Sequence, residues 1–180
     1  MATKATIYKA SLQIVDLDRN YYHDHTLTIA RHPSETDERM MVRLLAFIHH
    51  ACEDLKFTRG LSTNDEPDLW QKDLTDAIDL WIELGQPDEK RIRKACARAQ
   101  QVCIYSYSGR SAEIWWEQIR SATGKLKNLT VINISPEISQ SLAQLAQRTM
   151  QLQCTVQDGQ IWITNNTGSV QVDFTYWLQP

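Results

Sequence analysis

Asp68 and Glu83 are the two residues whose types and spacing in the sequence best suit chemistry. They fall on two predicted strands, and a two-residue hairpin loop formed by Thr75 and Asp76 would place the two carboxylates opposite each other. Directly opposed residues of antiparallel strands have Cβ atoms about 4.5–5.5 Å apart. The same register pairs Lys72 with Asp79 and Trp70 with Trp81. The sequence therefore predicts two adjacent carboxylates at the open end of an acidic hairpin, residues 66–86.

The two carboxylates of the acidic hairpin repel each other and require compensation. A divalent cation would provide it, because hard oxygen ligands suit Mg²⁺, and a proton shared by Asp68 and Glu83 would also provide it. In the alternative interpretation, Asp68 ends its strand in solvent and Glu83 pairs with Lys72 or with an arginine. Periodicity leaves both interpretations open.

A basic helix is predicted directly after the hairpin, opening at Pro87-Asp88-Glu89. Four basic residues share its face opposite Ile92 and Cys96, because they are separated by three, four or seven positions. These four residues, the basic stripe, are Lys90, Arg91, Lys94 and Arg98. In a chain of formal net charge -3, this stripe is a local positive surface that suits contact with nucleic-acid phosphates. A solvated helix face paired with Asp88 and Glu89 is the alternative.

Hydrophobic periodicity predicts a mixed α/β scaffold for these residues. Besides the two arms of the hairpin, strands are predicted over 5–15, 21–30, 101–108, 129–135, 150–157, 160–164 and 169–177. Besides the basic helix, helices are predicted over about 35–54, over 110–121 and from about residue 135. Ser34 and Asp37 form a capping-box pattern at the start of the first helix. The order of elements predicts one mixed sheet flanked by helices, with antiparallel hairpins at both ends of the chain.

Composition narrows the class of protein. The chain has 180 residues, of which 42% are hydrophobic and 23% charged, and this predicts a single globular domain over residues 1–180. We find no run that resembles a signal peptide and none that approaches the roughly 18 apolar residues of a membrane span. The four cysteines are widely spaced, which favours buried free thiols, so we expect a cytoplasmic protein with no membrane partner.

Aromatic residues and histidines offer weaker alternatives. Tyr105 and Tyr107, or Trp115-Trp116, could stack on nucleic-acid bases, but two tyrosines on one strand face favour packing in the core. His23 and His25 also share a strand face, and a metal pair is disfavoured because the sequence shows no third ligand nearby. The acidic hairpin therefore stays the main hypothesis for a functional site.

Several segments of this sequence resemble the YaeQ family of small bacterial proteins. They are EPDLW, IDLWIELGQPDEKRIRKA, ARHPSETDERMMVRLL, DLDRNYY and QDGQIW, and the resemblance covers nearly the whole chain. It implies a compact variation of the PD-(D/E)XK restriction-endonuclease-like core. A link with transcription has been proposed for the family, so the resemblance also implies a possible role in transcription.

The motif of those nucleases can be placed on this chain residue by residue. Pro67-Asp68 supplies the PD and Glu83 supplies the second acid, so the resemblance implies that both carboxylates hold Mg²⁺ or Mn²⁺. Gly85 stands where similar nucleases carry a lysine that orients the attacking water and stabilises charge on the phosphate. Gln86 follows one residue later. This departure puts catalysis in doubt, since two of the three motif positions are matched and the third is not.

Two further roles follow from the same resemblance. Glu38 matches the acid that the first core helix often supplies to the metal, with Glu35 as its rival. Arg91 or Lys94 of the basic stripe would supply the charge that Gly85 lacks. We therefore expect a nuclease-like protein that hydrolyses a phosphodiester with a metal or binds nucleic acid. A non-catalytic interaction module with the same fold is the alternative.

Overall fold

The computed structural model describes residues 4–180, apart from the side chain of Ser62, and confirms the mixed α/β class. In chain order, the strands are β1 (Thr6–Asp16), β2 (Tyr21–Arg31), β3 (Leu55–Phe57), β4 (Leu69–Lys72), β5 (Ile78–Leu84), β6 (Ala99–Ser106), β7 (Leu129–Asn133), β8 (Thr149–Gln157), β9 (Gln160–Thr164), β10 (Ser169–Val172) and β11 (Thr175–Leu178). The helices are α1 (Asp37–His50), α2 (Glu89–Arg98), α3 (Arg110–Thr123) and α4 (Pro136–Ala143), with a 3-10 turn at Gly60–Ser62. No helix in residues 4–180 is long and apolar enough to cross a membrane.

The chain divides into two compact units. The first comprises Met1–His49 with Glu137–Phe174, and the second comprises His50–Pro136 with Thr175–Pro180. Each unit contains one mixed sheet, so the strands form two sheets instead of the single sheet that the sequence predicted. Whether the two units fold together as one domain is not tested, so the single domain over residues 1–180 stays a prediction.

The sheet of the first unit has the strand order β10-β9-β8-β1-β2. The predicted hairpin of β1 and β2 is confirmed as an antiparallel pair, and β1 also pairs with β8 in parallel. Alternate residues of β1 point inward, so Ala10, Leu12 and Ile14 are buried whereas Ser11 and Gln13 are exposed. Strand β8 has the same alternation. One face of this sheet is therefore apolar and the other is polar.

Helix α1 starts and ends inside its predicted range. The backbone N–H of Arg39 donates to Thr36 Oγ1 at 3.1 Å, which makes Thr36 the capping residue. The predicted capping box was wrong, because the hydroxyl of Ser34 bonds Nδ1 of His32 and Asp37 pairs with Arg31. The apolar stripe that predicted the helix is buried as expected. Its members are Met41, Leu44, Leu45 and Ile48.

The sheet of the second unit has the strand order β11-β7-β6-β5-β4-β3. Strands β5, β6 and β7 are parallel and are connected by α2 and α3, as the β-α-β pattern predicted. Strand β5 is buried on both faces over most of its length, because Leu80 and Ile82 alternate with Trp81 and Glu83. Glu83 therefore lies inside the unit, at the carboxyl end of a central strand.

The last predicted strand, 169–177, is two strands in the structure. Strand β10 ends at Val172 and joins the first sheet, whereas β11 begins at Thr175 and joins the second. Between them, the ring of Phe174 stacks on His49 with centroids 4.4 Å apart. Sequence periodicity is continuous across this point, so it did not reveal the change of sheet.

Candidate functional site

The hairpin of β4 and β5 keeps the predicted register where it matters for the carboxylates. Trp70 pairs with Trp81 as predicted, but Lys72 pairs with Ile78 instead of Asp79 because the register shifts at Gln71/Lys72. The predicted two-residue loop was also wrong. Its turn is longer and is closed by Asp73, whose Oδ1 accepts hydrogen bonds from the backbone N–H of Thr75 and of Ala77 at 2.7 and 3.0 Å.

Asp68 lies buried just before β4, with 4% of its surface exposed. Its backbone N–H donates to the carbonyl of Ile82 at 3.0 Å, and its Oδ2 accepts from the backbone N–H of Leu84 at 2.9 Å. These bonds bracket Glu83 and hold the two acids side by side. Asp68 does not end its strand in solvent, so that part of the alternative interpretation was wrong.

Glu83 is equally buried, with 6% of its surface exposed. Its Oε1 accepts hydrogen bonds from Nε1 of Trp81 at 3.0 Å and from Nε of Arg91 at 2.8 Å. Burial and, to a smaller extent, the charge of Asp68 raise the pKa of Glu83 to about 7, although Arg91 and Trp81 oppose the rise. Among the described residues, no hydrogen bond reaches Oε2 of Glu83. One carboxylate oxygen is therefore left for a proton or a cation.

Arg91 connects the acidic hairpin with the segment Asn64–Glu66, which we call the acidic loop. Its Nη1 donates to the carbonyl of Asn64 at 2.7 Å, and its Nη2 donates to the carbonyl of Glu66 at 2.9 Å. Asp88 caps α2 by accepting from the backbone N–H of Arg91 at 2.8 Å, which fixes where this residue leaves the helix. The pairing of Glu83 with an arginine, one of the alternatives left open by the sequence, is confirmed.

The remaining basic stripe divides into two groups. Lys94 pairs with Asp65 at 3.2 Å, and Arg98 donates to the carbonyl of Asp65 at 2.9 Å. The guanidinium of Arg98 also lies over Trp81, 5.0 Å from the ring centroid. Lys90 is exposed and forms no ion pair with the residues that the structure describes. Three of the four predicted phosphate contacts are thus occupied with the protein itself, and Lys90 points to solvent.

Gln86 and Gly85 differ from what a nuclease motif requires. Gln86 is exposed, and its Nε2 donates to Oγ of Ser111 at 2.8 Å, so it contacts α3 instead of the carboxylates. Gly85 has a φ of +95°, in a region that residues with a Cβ rarely adopt. The backbone conformation at position 85 therefore disfavours a lysine there.

The conformation of Gly85 predicts a measurable cost. We expect Gly85→Ala to reduce the free energy of unfolding by about 1–2 kcal/mol, because the left-handed region penalises a Cβ although nothing lies within 4 Å of it. Gly168→Ala is the matched control, since that position has equally open space and no positive φ. Urea unfolding measures both variants, and equal stability of the two would contradict the argument from backbone strain.

The third predicted acid lies in the first unit. Glu38 is half-buried in the first turn of α1, and its role toward a metal stays a prediction. Its rival Glu35 is buried, with one oxygen bonded to Arg39 and the other to Arg43, each at 2.7 Å. Both oxygens of Glu35 are engaged, so Glu38 is the better candidate of the two.

Two contributors to the site were not predicted as functional. Trp81 donates to Glu83 from the same strand face, and its spacing of two residues was the available signal. The acidic loop had no such signal, because its contacts with α2 join residues 25 to 33 positions apart. Tyr105 and Trp115 are buried, which favours packing for these two, whereas Tyr107 and Trp116 are half-buried and their role stays a prediction.

The family of the chain follows from its extent of similarity to known proteins. The profile of the YaeQ protein family matches residues 1–174. The chain belongs to the YaeQ family. A protein of Escherichia coli K12 described as uncharacterized protein YaeQ is 51% identical over 180 residues, which cover 100% of this chain and 99% of that protein. The Salmonella typhi protein of the same description has the same identity and coverage.

Two solved YaeQ structures share the fold. The crystal structure of YaeQ from Xanthomonas axonopodis pv. citri is 48% identical and superposes with a TM-score of 0.94, covering 98% of this chain and 99% of that chain. The YaeQ structure from Pseudomonas syringae is 36% identical with a TM-score of 0.93, covering 98% of this chain and 97% of that chain. The two-sheet architecture described above is therefore a YaeQ fold.

Proposed function

We propose that the acidic hairpin is a divalent-cation site of a nuclease-like protein that binds or hydrolyses phosphodiesters. One observation carries this proposal: Asp68 and Glu83 are buried beside each other, and Arg91 forms an ion pair with Glu83. Burial and the charge of Asp68 raise the pKa of Glu83 to about 7, so ionising both acids in this place is costly. A divalent cation would offset this cost.

The donor set fits Mg²⁺ or Mn²⁺ in one of the modes that these ions use. Among residues 4–180, no group of three or more His, Cys, Asp and Glu side chains is arranged to hold a metal. Mg²⁺, however, commonly binds through one or two carboxylates and keeps waters or substrate phosphates as its other ligands. Oε2 of Glu83 and the carboxylate of Asp68 would hold it. When bound, such an ion would polarise a phosphoryl oxygen and lower the pKa of a bound water.

The residues around the carboxylates would perform supporting roles. Arg91 reaches Glu83 and would substitute for the lysine that Gly85 replaces, by turning its Nη atoms from the carbonyls of the acidic loop to the phosphate. Lys90 is exposed and would contact the next phosphate of a nucleic acid. Lys94, Arg98 and Gln86 would follow only after leaving their partners on the acidic loop and α3. The proposal includes a relationship between this fold and the PD-(D/E)XK nuclease core.

A second candidate is a non-catalytic interaction module that keeps the nuclease-like fold. The ion pair between Arg91 and Glu83 favours it, because a guanidinium already neutralises part of the charge that a metal would neutralise. The backbone conformation of Gly85 favours it as well, since it leaves the lysine position without a side chain. A role in transcription would belong to this candidate. A cytoplasmic location fits both candidates and is supported by the four free cysteines.

Calorimetric titration with Mn²⁺ tests the metal site. We expect the native protein to bind one ion and Glu83→Gln to bind it at least about tenfold more weakly, because the amide removes a charged ligand. Glu89→Gln is the matched control, since it neutralises an exposed acid of α2 and should leave affinity unchanged. Binding should release a proton from Glu83 near pH 7, seen as a heat that depends on the buffer.

Equal binding by the native protein and Glu83→Gln would reject the metal site. Turnover then separates the two candidate functions. The metal-loaded protein is incubated with single- and double-stranded DNA and RNA, and cleavage that is lost in both Asp68→Asn and Glu83→Gln supports the enzyme. Metal-dependent nucleic-acid binding without cleavage supports the non-catalytic module instead.

A further inference from the structure

The polar face of the sheet in the first unit carries a cavity that the proposed function does not use. A cavity of about 720 Å³ lies over β1, β8 and the residues that follow β9. This volume falls within the roughly 300–1,000 Å³ of sites for small ligands. The side chains that line it are all uncharged, and six of them are amides: Gln13, Gln147, Gln151, Gln153, Asn165 and Asn166.

Strand register explains why the amides gather there. Gln13 pairs with Gln153 across β1 and β8, and Gln153 pairs in turn with Thr164 of β9. One step along the strands, Ser11 pairs with Gln151. The alternate residues of β1 and β8 are the buried apolar ones, so the period of two places Gln13, Gln151 and Gln153 on the same face. We call this surface the amide face.

The glutamine head groups on the amide face are available to a ligand. Gln13, Gln147, Gln151 and Gln153 are exposed, and within residues 4–180 their side chains make no hydrogen bond. Asn165 differs, because its Oδ1 accepts from the backbone N–H of Thr167 at 2.8 Å and shapes the loop at the end of the cavity. Each free amide offers both donors and an acceptor, which matches a ligand rich in hydroxyl groups.

Aromatic side chains flank the amides on the same face. A second cavity of about 500 Å³ shares Gln13 and is lined by Tyr22, a residue that is 56% exposed, and by Asp24. Val15 pairs with Tyr22 on one side and with Thr155 on the other, and Thr155 pairs with Trp162. Tyr22 and Trp162 are thus three strands apart, about 14 Å at about 4.8 Å per strand.

We propose that the amide face binds a neutral, polyhydroxylated chain, that is, an oligosaccharide. Amides and hydroxyls would bond the sugar hydroxyls, and the faces of Tyr22 and Trp162 would pack against the apolar faces of sugar rings. No lysine or arginine lines either cavity, which disfavours a phosphate backbone as the ligand. This inference concerns the first unit and is independent of the proposed metal site.

Titration of the full chain with maltoheptaose, cellohexaose and xylohexaose tests the proposal. We expect saturable binding of at least one of them, detected by tryptophan fluorescence and by amide chemical shifts that move along β1, β8 and β9. Replacing two amides, Gln151→Ala with Gln153→Ala, should weaken this binding at least about tenfold. Gln118→Ala removes an exposed amide of α3 and should leave the affinity unchanged.

The variants replace exposed side chains, so we expect all of them to unfold at the same urea concentration as the native protein. Absence of saturable binding to all three oligosaccharides at millimolar concentration would overturn the proposal. Equal affinity of the native protein and the double variant would also overturn it. A single-stranded oligothymidylate that binds in place of the sugars and loses affinity in the double variant would assign the face to nucleic acid instead.

Discussion

Glu35→Ala should lower the free energy of unfolding by about 3–5 kcal/mol, the largest loss that we expect from a single substitution in this chain. Glu35 lies between two arginines, and its bond to Nη2 of Arg43 is 2.7 Å long. The side chains of Glu35 and Arg43 are 2% and 7% exposed, so water reaches neither of them well. Removing the carboxylate takes the charge of Glu35 away from the buried guanidinium of Arg43, and the loss of this interaction in a desolvated place is the cause of the cost.

Urea unfolding of the variant and of two controls measures this effect. Glu38→Ala removes an acid from the same region of the chain, where it has no ion pair with the described residues, and should cost no more than about 1 kcal/mol from the helix dipole. Glu35→Ala combined with Arg43→Met removes both charges and should recover part of the stability. A cost for Glu35→Ala no greater than that for Glu38→Ala would show that the buried pair contributes nothing.

Local pattern predicted the elements and the register of the acidic hairpin. Period-two alternation identified β1, β2 and β8, and the pairing of Trp70 with Trp81 placed Asp68 beside Glu83. These features depend on neighbours in sequence, where side-chain periodicity carries the information. The hairpin loop was wrong because Asp73 closes a longer turn with its own carboxylate, and several turns accept the same residue types.

Contacts between residues far apart in the sequence could not be predicted from local pattern. The strand 169–177 divides between two sheets, although its sequence alternates without a break, because the partners of each half lie far away along the chain. The partners of Arg91 were equally hidden: the basic stripe suggested phosphate, and the structure shows carbonyls of the acidic loop. The helical spacing predicted which residues of α2 share a face. The segment that this face contacts is seen only in the folded unit.

Arg91→Met should destabilise the protein by about 2–4 kcal/mol at pH 8. The side chain of Arg91 is 28% exposed and that of Glu83 is 8% exposed, so the pair is screened less than a surface pair but more than Glu35 with Arg43. Without the guanidinium, Glu83 must at pH 8 either bear an unpaired charge beside Asp68 in a desolvated environment or take up a proton, and both cost stability. Arg120→Met is the matched control, because Arg120 pairs with Glu117 on the surface and should cost less than about 0.5 kcal/mol.

The cost of Arg91→Met should depend on pH, and the sign follows from the pKa of Glu83. In the native protein this pKa is raised to about 7, so the folded state holds a proton that the unfolded chain loses near its ordinary value of 4.5. Stability from this group is complete below pH 4.5 and is lost as pH rises through 7, by about 3 kcal/mol. Arg91 lowers the pKa of Glu83, and its removal makes ionisation still more costly.

We therefore expect the penalty of Arg91→Met to fall to about 1 kcal/mol at pH 5, where Glu83 is protonated in both proteins and the loss is that of hydrogen bonds to the acidic loop. Glu83→Gln should flatten the pH dependence of unfolding between pH 4.5 and 7, because glutamine keeps an acceptor for Trp81 and Arg91 but does not titrate. Adding Arg91→Met to Glu83→Gln should then cost about 1 kcal/mol at every pH. A penalty for Arg91→Met that is the same at pH 5 and pH 8 would mean that Glu83 is not the group that Arg91 neutralises.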